Sequence, residues 1–373
     1  MEAKFLREKA AHSFRVAVLI VLASKVLIFS LGFVVTYLNE DTSSPVAIIR
    51  NQFCRWDSPH YIDIAKNWYV NVGEQRLFIV FFPLYPILIR LTTFGFQYMN
   101  LSALLVSNIS SMVAVVHLFK LAKLDFGEDV AKKSVLYLSI YPTAYFLCAI
   151  CTEGLFLALV TACFYYARCR EWPLAGFLGM FASLTRINGL LLSPALTVEY
   201  LSQREWKLKN LDDNFFWSGL ALVGFLIYLV INYQVTGNFF TSMEIERTHW
   251  YQSIDPLLGL QRAWWWGTAA PSPGNITVGS AQIVFAILGL SGVIGSFLRL
   301  RLSYSVYALF TWMMSVSTGW WISVPRYVMA MFPLFILLGL FGRKKEINHV
   351  GIPVFLTSLC FFTILFSEGE WAL

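Results

Sequence analysis

Apolar runs of membrane-spanning character alternate with short polar connections along most of the chain. The runs fall at approximately 15–38, 101–121, 133–150, 153–169, 173–185, 189–202, 215–234, 280–298, 303–321, 326–341 and 350–367. They predict an all-α polytopic membrane protein of about 11 membrane helices, because lipid leaves the backbone no partners except its own. The fifth and sixth runs are too short to cross upright. They predict a helical pair meeting at Thr185-Arg186-Ile187-Asn188-Gly189, below the membrane surface. The run at 77–96 is apolar as well, but Pro83 and Pro86 break its start, which predicts an interfacial helix on the outer side.

One connection departs from this pattern. Residues 55–69 read RWDSPHYIDIAKNWY, followed after a short interval by FFPLYP at 81–86. Ser58 is suited to cap a helix and Pro59 to its first position, so a helix is expected to run to about Asn67. Ile62, Ala65 and Trp68 or Tyr69 recur at helical spacing, with His60, Asp63 and Asn67 on another side. Such an amphipathic helix suits the bilayer surface. Asp57 stands just before its N-terminus, where unpaired N–H groups and the helix dipole favour an ionised carboxylate. Two readings follow: a capping residue, or a general base held at the membrane surface.

Composition supports the membrane reading. The chain of 373 residues is 57% hydrophobic and 13% charged, against roughly 25% charged in an ordinary soluble domain. No long polar tract divides it, so a single membrane domain over 1–373 is expected. It comprises a tail at 1–14, a first outer loop at 39–100 and a second large outer loop at 235–279. The formal charge of +6 then belongs to basic loops on the inner side, with no role for nucleic acid. This layout puts 18 Lys and Arg inside and 9 outside, with Lys25 within the first helix. The N-terminus resembles a signal sequence, but its apolar run is long enough to be a retained first helix. The six cysteines show neither a paired CxxC nor zinc spacing.

Under that topology the unusual polar residues gather on the outer side. Asp57, His60, Asp63, Glu153, Arg186, Asn188, Glu244, Glu246, Arg247, His249, Arg262 and Arg326 all fall there, accompanied by Trp56, Trp250, Trp264–Trp266 and Trp320–Trp321. The inner loops read as short and basic. Glu153 and Arg186 lie at turns between membrane helices and either neutralise each other or position an acceptor. His249 and Trp250 follow a mixed-charge run and are as easily part of a solvated turn as of a site. The three consecutive tryptophans suit interfacial anchoring first and sugar stacking second. Lys25 and His117 read as packing or snorkelling residues. Arg326 follows Pro325 at a helix start and suits either a phosphate or lipid headgroups.

Neither a GxGxxG nor a P-loop pattern is present, and no separate nucleotide-binding domain accompanies the helices. A sugar donor dissolved in the membrane needs neither. It needs a groove, cations for its phosphate and a base for the acceptor hydroxyl. No DxD-like carboxylate pair calls for a metal, and none is expected. A transporter or lipid flippase would share the helices and intramembrane charges. However, the chain lacks an internal inverted repeat, and its polar residues cluster at one face.

The motifs WDSPHY (56–61), FFPLYP (81–86), YPTAYF (141–146), CTEGLF (151–156), TRINGLLLSP (185–194) and PRY (325–327) together resemble the GPI mannosyltransferase II family, the PIG-V type. The resemblance runs from about residue 15 to 340. It implies a GT-C-like fold and inverting transfer from a dolichyl- or polyprenyl-phosphate sugar, typically mannose, to a lipid-linked glycan on the outer or luminal face. The catalytic aspartate of that family's first outer loop falls on Asp57. Trp56, His60, Asp63, Glu153, Arg186, Asn188, His249 and Arg326 are then expected to bind substrate, with Arg326 at the donor phosphate. Membrane lipids, the lipid-phosphate donor and a glycolipid acceptor are the expected partners, alongside a small accessory membrane subunit. The chain is shorter than the eukaryotic enzymes, which also suits a prokaryotic relative, or a GT-C enzyme acting on protein or cell-wall glycan. The host membrane is then the ER in a eukaryote and the plasma membrane in a prokaryote.

Overall fold

The computed structural model describes residues 2–39, 44–94, 98–270 and 272–372. The side chains of residues 2–12, 46, 50 and 51 lie outside that description, and with them Lys4, Arg7, Lys9 and Arg50 of the basic-residue distribution. Parts of the expected tail (1–14) and outer loops (40–43, 95–97 and 271) also lie outside the described residues. The described chain is helical, and its one strand-like contact is an isolated bridge between Ile254 and Thr318.

In chain order the helices are α1 (Glu2–Asn39), α2 (Pro45–Asn51), α3 (Ser58–Asn67), α4 (Leu84–Thr92), α5 (Met99–Phe126), α6 (Glu128–Ser139) and α7 (Glu153–Arg168). Next come α8 (Trp172–Ser183), α9 (Leu192–Gln203), α10 (Phe215–Ser218), α11 (Leu220–Thr236), α12 (Thr241–Thr248) and α13 (Pro256–Thr268). The last are α14 (Pro273–Asn275), α15 (Ala281–Arg299), α16 (Leu302–Val316), α17 (Val324–Met329), α18 (Phe332–Phe341) and α19 (Lys345–Glu368).

The all-helical membrane architecture is as expected, but the spans are less regular than the hydrophobic runs. Among the described residues, 4 helices are long and apolar enough to cross a membrane, or up to 6 if each bent pair counts as one span. Prolines account for two of the breaks. The run at 133–150 stops as a helix at Ser139, and Pro142 holds the residues before it away from helical geometry. A short 3-10 turn, Ala144–Leu147, follows. The run at 326–341 divides into α17 and α18, with Pro333 in the first turn of the second helix. The run at 303–321 ends as a helix at Val316, leaving Trp320 and Trp321 beyond it.

The core lies where α5, α6, α7 and α18 pack against one another, filled by rings such as Phe156, Phe164, Tyr304, Tyr307 and Phe332. α7 is apolar around its circumference, as a helix buried on all sides must be. It fits close to α5 because Gly154 has no side chain: a Cβ there would lie 2.7 Å from the Ser107 carbonyl oxygen. Lys25 is held inside the bundle by Asn108 Oδ1 at 2.7 Å and Ser111 Oγ at 2.8 Å. These contacts favour its packing role.

Candidate active site

Four loop segments are stitched together at the end of the bundle where α7 begins. The stretch before α3 is tied to the stretch before α7: the Ile150 N–H donates to the Phe53 carbonyl at 3.3 Å, and Ser58 Oγ donates to the Ile150 carbonyl at 2.9 Å. Tyr141 donates to the Pro325 carbonyl at 3.3 Å, fixing the start of α17. The Leu84 N–H donates to the Leu184 carbonyl at 2.9 Å, fixing the turn that carries Arg186. Gly189 lets that turn fold back on α8, since a Cβ at this position would fall 2.3 Å from the Ser183 nitrogen.

These constraints bring Asp57, Glu153, Arg186 and Arg326 into one ion-paired group. Arg326 Nη1 donates to Asp57 Oδ2 at 2.8 Å, and its Nε donates to Glu153 Oε1. The same Glu153 oxygen accepts from Arg186 Nη1, which also donates to Thr152 Oγ1 at 2.9 Å. Glu153 is only 4% exposed, and its other oxygen, Oε2, is buried without a partner. The Arg326 guanidinium also lies 4.6 Å from the Phe146 ring centre, and that of Arg186 lies 5.4 Å from the Tyr327 ring centre. Asp57 is the most exposed of the four side chains, at 27%. It opens into a crevice lined by Trp56, Cys151, Ser323, Phe366 and Trp371.

Two expectations about local geometry change here. α3 begins at Ser58 instead of after it, so Asp57 holds the N-cap position and Pro59 the second helical one. Ser58 is spent on the Ile150 carbonyl, and the Asp57 carboxylate makes no capping bond. The capping reading of Asp57 therefore fails. At Arg326, α17 is too short to present an anion-binding terminus, and the Val324 N–H already donates to Gln282 Oε1 at 2.8 Å. Any anion affinity at this point belongs to the guanidinium. Its side chain is 10% exposed and paired inward, unlike a snorkelling arginine.

The other expected residues take different places. Trp56, held at a positive φ of 54°, meets Trp371 edge-on at 4.6 Å. His60 packs among Phe78, Phe81 and Trp250, and its Nδ1 is buried without a partner. Asp63 lies farther along α3 and accepts from Asn67 at 2.8 Å. Asn188 is buried in the 3-10 turn after Arg186, outside the ion-paired group. His249 lines a separate cavity with Asn71, Arg76 and Thr248. Expected amphipathy on α3 is present, but its buried side is Ser58, Tyr61, Ile64 and Ala65, with Ile62 only partly covered.

Tyr327, quoted only as part of the PRY motif, and Trp371 had no expected site role. Trp371 Nε1 donates to the Ile322 carbonyl at 2.9 Å and closes one side of the crevice. Nor did the basic inner loops suggest a second ion-paired group. It forms at the far end of α7 from Asp125, Arg168, Glu199 and Arg301. Its signal was present as carboxylates at Asp125 and Glu199, in or beside apolar runs. Among the described residues, no three or more His, Cys, Asp or Glu side chains gather where they could hold a metal ion.

A family model described as dolichyl-phosphate-mannose-protein mannosyltransferase matches residues 82–233. The solved structures similar to this chain include two of an Archaeoglobus fulgidus oligosaccharyltransferase. One, in the apo form, is 12% identical with a TM-score of 0.47 over 94% of this chain and 56% of that one. The other, a complex with zinc and sulfate, is 11% identical with a TM-score of 0.48 over 94% of this chain and 53% of that one. The chain thus spans little more than half the length of those structures. No curated protein sequence matches it.

Proposed function

We propose that this chain is a GT-C-class membrane glycosyltransferase that moves a sugar, mannose in the first instance, from a polyprenyl- or dolichyl-phosphate donor to an acceptor hydroxyl. The observation that carries the reading is the Asp57–Arg326 contact at 2.8 Å. It joins a carboxylate suited to a base with a guanidinium suited to a phosphate. The family match over 82–233 supports the donor class, and that segment contains Glu153 and Arg186.

In this reading the donor phosphate takes Arg326 and Arg186, whose planar forks fit phosphate oxygens. Asp57, released from Arg326, receives the acceptor hydroxyl proton. The acceptor oxygen forms its bond to C1 as the bond from C1 to the phosphate oxygen breaks, inverting the anomeric centre. The departing lipid phosphate keeps that electron pair, and the two arginines compensate its charge. Glu153 holds both arginines in place. The wall of Trp56, Phe146 and Trp371 keeps bulk water from the reacting atoms. No resident metal enters the scheme.

The motif resemblance favours a lipid-linked glycan as acceptor. The family matched over 82–233, described as acting on protein, favours a second class, a protein hydroxyl. Purified protein incubated in lipid with radiolabelled polyprenyl-phosphate mannose and both acceptor types is the test. Label in the glycolipid fraction supports the first acceptor and label in protein the second. Donor translocation without transfer to either overturns the enzyme reading in favour of a transporter.

A further inference from the structure

The space over Asp57 is closed in this structure. The crevice leaves about 20 Å³ open, room for about one water, and a glycosyl phosphate is many times larger. One of its walls must move to admit such a group.

The walls differ in how firmly they are held. Asp57 and Arg326 are ion-paired, and Phe146 and Cys151 are buried in the stretch that leads into α7. The remaining side includes Trp371 and Ala372, from the segment that follows α19. α19 packs mainly along α1 at the margin of the bundle. Its last turn is fixed: Phe366 lies among Phe53, Tyr145 and Phe146, with ring centres 6.2, 4.9 and 5.5 Å away, and Arg55 donates to the Ser367 carbonyl at 3.2 Å. Gly369 then ends the helix in the left-handed region, at a φ of 86°, with the Glu370 N–H turned back on the Leu365 carbonyl at 3.0 Å. A Cβ on Gly369 would meet nothing within 4 Å, so the turn has space around it. Beyond the turn, Trp371 Nε1 donates to the Ile322 carbonyl at 2.9 Å and the Tyr145 hydroxyl to the Ala372 carbonyl. The Trp371 ring rests edge-on against Trp56.

We infer that residues 369–372 are a lid over the Asp57–Arg326 contact, hinged at Gly369, which lifts to admit a glycosyl phosphate and closes again with Trp371 over the sugar. This rests on the transferase reading above. Lifting breaks the bonds to Ile322 and Tyr145 and the edge contact with Trp56, while the ion-paired group and the start of α7 stay in place. Closing excludes water from the space where the donor's anomeric carbon meets the acceptor, so transfer is favoured over hydrolysis. An indole suits the closing face, because its broad ring covers a sugar while its N–H keeps a polar partner.

Native cysteines report the motion. Cys151 lines the crevice, whereas Cys148 and Cys163 are buried and do not line it. The protein is held in lipid nanodiscs with a water-soluble maleimide, and alkylation of each thiol is followed by peptide mass. Cys151 should react ahead of Cys148 and Cys163, which wait for unfolding. Trp371→Phe keeps a ring over the crevice but removes the bond to Ile322. It should speed Cys151 by about three- to tenfold, the worth of one hydrogen bond, and leave the other two unchanged. Saturating polyprenyl-phosphate mannose should slow Cys151 in both proteins. If Cys151 reacts only in step with Cys148 and Cys163, or equally fast in Trp371→Phe, the lid is overturned and the transferase reading stands. Transfer with no protection of Cys151 by the donor has the same consequence. Absence of transfer, with Cys151 still reacting first and answering to Trp371→Phe, overturns the transferase reading and leaves the lid.

Discussion

α7 carries a charged cluster at each end, about 22 Å apart by helical rise, and the two are built from the same parts. Each contains two carboxylates and two arginines: Asp57, Glu153, Arg186 and Arg326 at the first end, Asp125, Glu199, Arg168 and Arg301 at the second. They differ in completeness. At the second end Glu199 accepts from Arg168, Arg301, Gln203 and Ser303, and Asp125 accepts from Arg168 and Tyr304. Both oxygens of each carboxylate are engaged. At the first end Glu153 Oε2 is left over, and Asp57 opens into a crevice. A network whose carboxylates are fully engaged ties α5, α7, α9 and α16 together, whereas one with a carboxylate oxygen left over can exchange partners with a ligand. Buried polar groups are normally satisfied, so the incomplete end is where function is to be sought.

Mutations should separate the two ends. The largest effect belongs to Asp57→Asn, which preserves shape and should slow transfer at least about a hundredfold, the lower end for a lost base. Donor affinity should hold or rise, because a negative charge that competes with phosphate for Arg326 is removed. Next is the exchange of Glu153→Arg with Arg186→Glu. An isolated pair would recover folding and transfer when swapped. Here the new arginine meets Arg326, so the double variant should recover neither, as thermal unfolding and label transfer would show.

At the other end Glu199→Gln strands two arginines and should destabilise the fold by about 3 kcal/mol, the range for breaking a buried pair. Its transfer rate per folded molecule should stay near wild type. Arg326→Lys keeps the charge but loses the fork, and donor affinity should fall about tenfold, the equivalent of one charge-assisted hydrogen bond. His249→Ala, in its separate cavity, should change the rate by no more than about threefold. A larger loss there would extend the site across α12.

The first cluster was readable residue by residue because charges are costly in an apolar sequence, and Glu153, Arg186 and Arg326 stood out against their runs. Their three-way pairing was not readable. It depends on the breaks at Pro142 and at Thr185–Gly189, and on Ser58 bonding across to Ile150. Asp57 was legible as a carboxylate before a helix, but local preference pointed equally to capping. Only the tertiary contact to Arg326 separates the readings. The second cluster was overlooked because basic loops satisfy the positive-inside pattern without requiring partners.

The central claim is that the Asp57 end performs the chemistry and the Glu199 end holds the bundle. Transfer per folded molecule, measured with unfolding temperature on Asp57→Asn and Glu199→Gln side by side, tests it most directly. We predict that Asp57→Asn melts near wild type yet transfers at least about a hundredfold more slowly. Glu199→Gln should melt well below wild type yet transfer normally once folded. Near wild-type transfer by Asp57→Asn, or an equal loss in folded Glu199→Gln, would contradict the account.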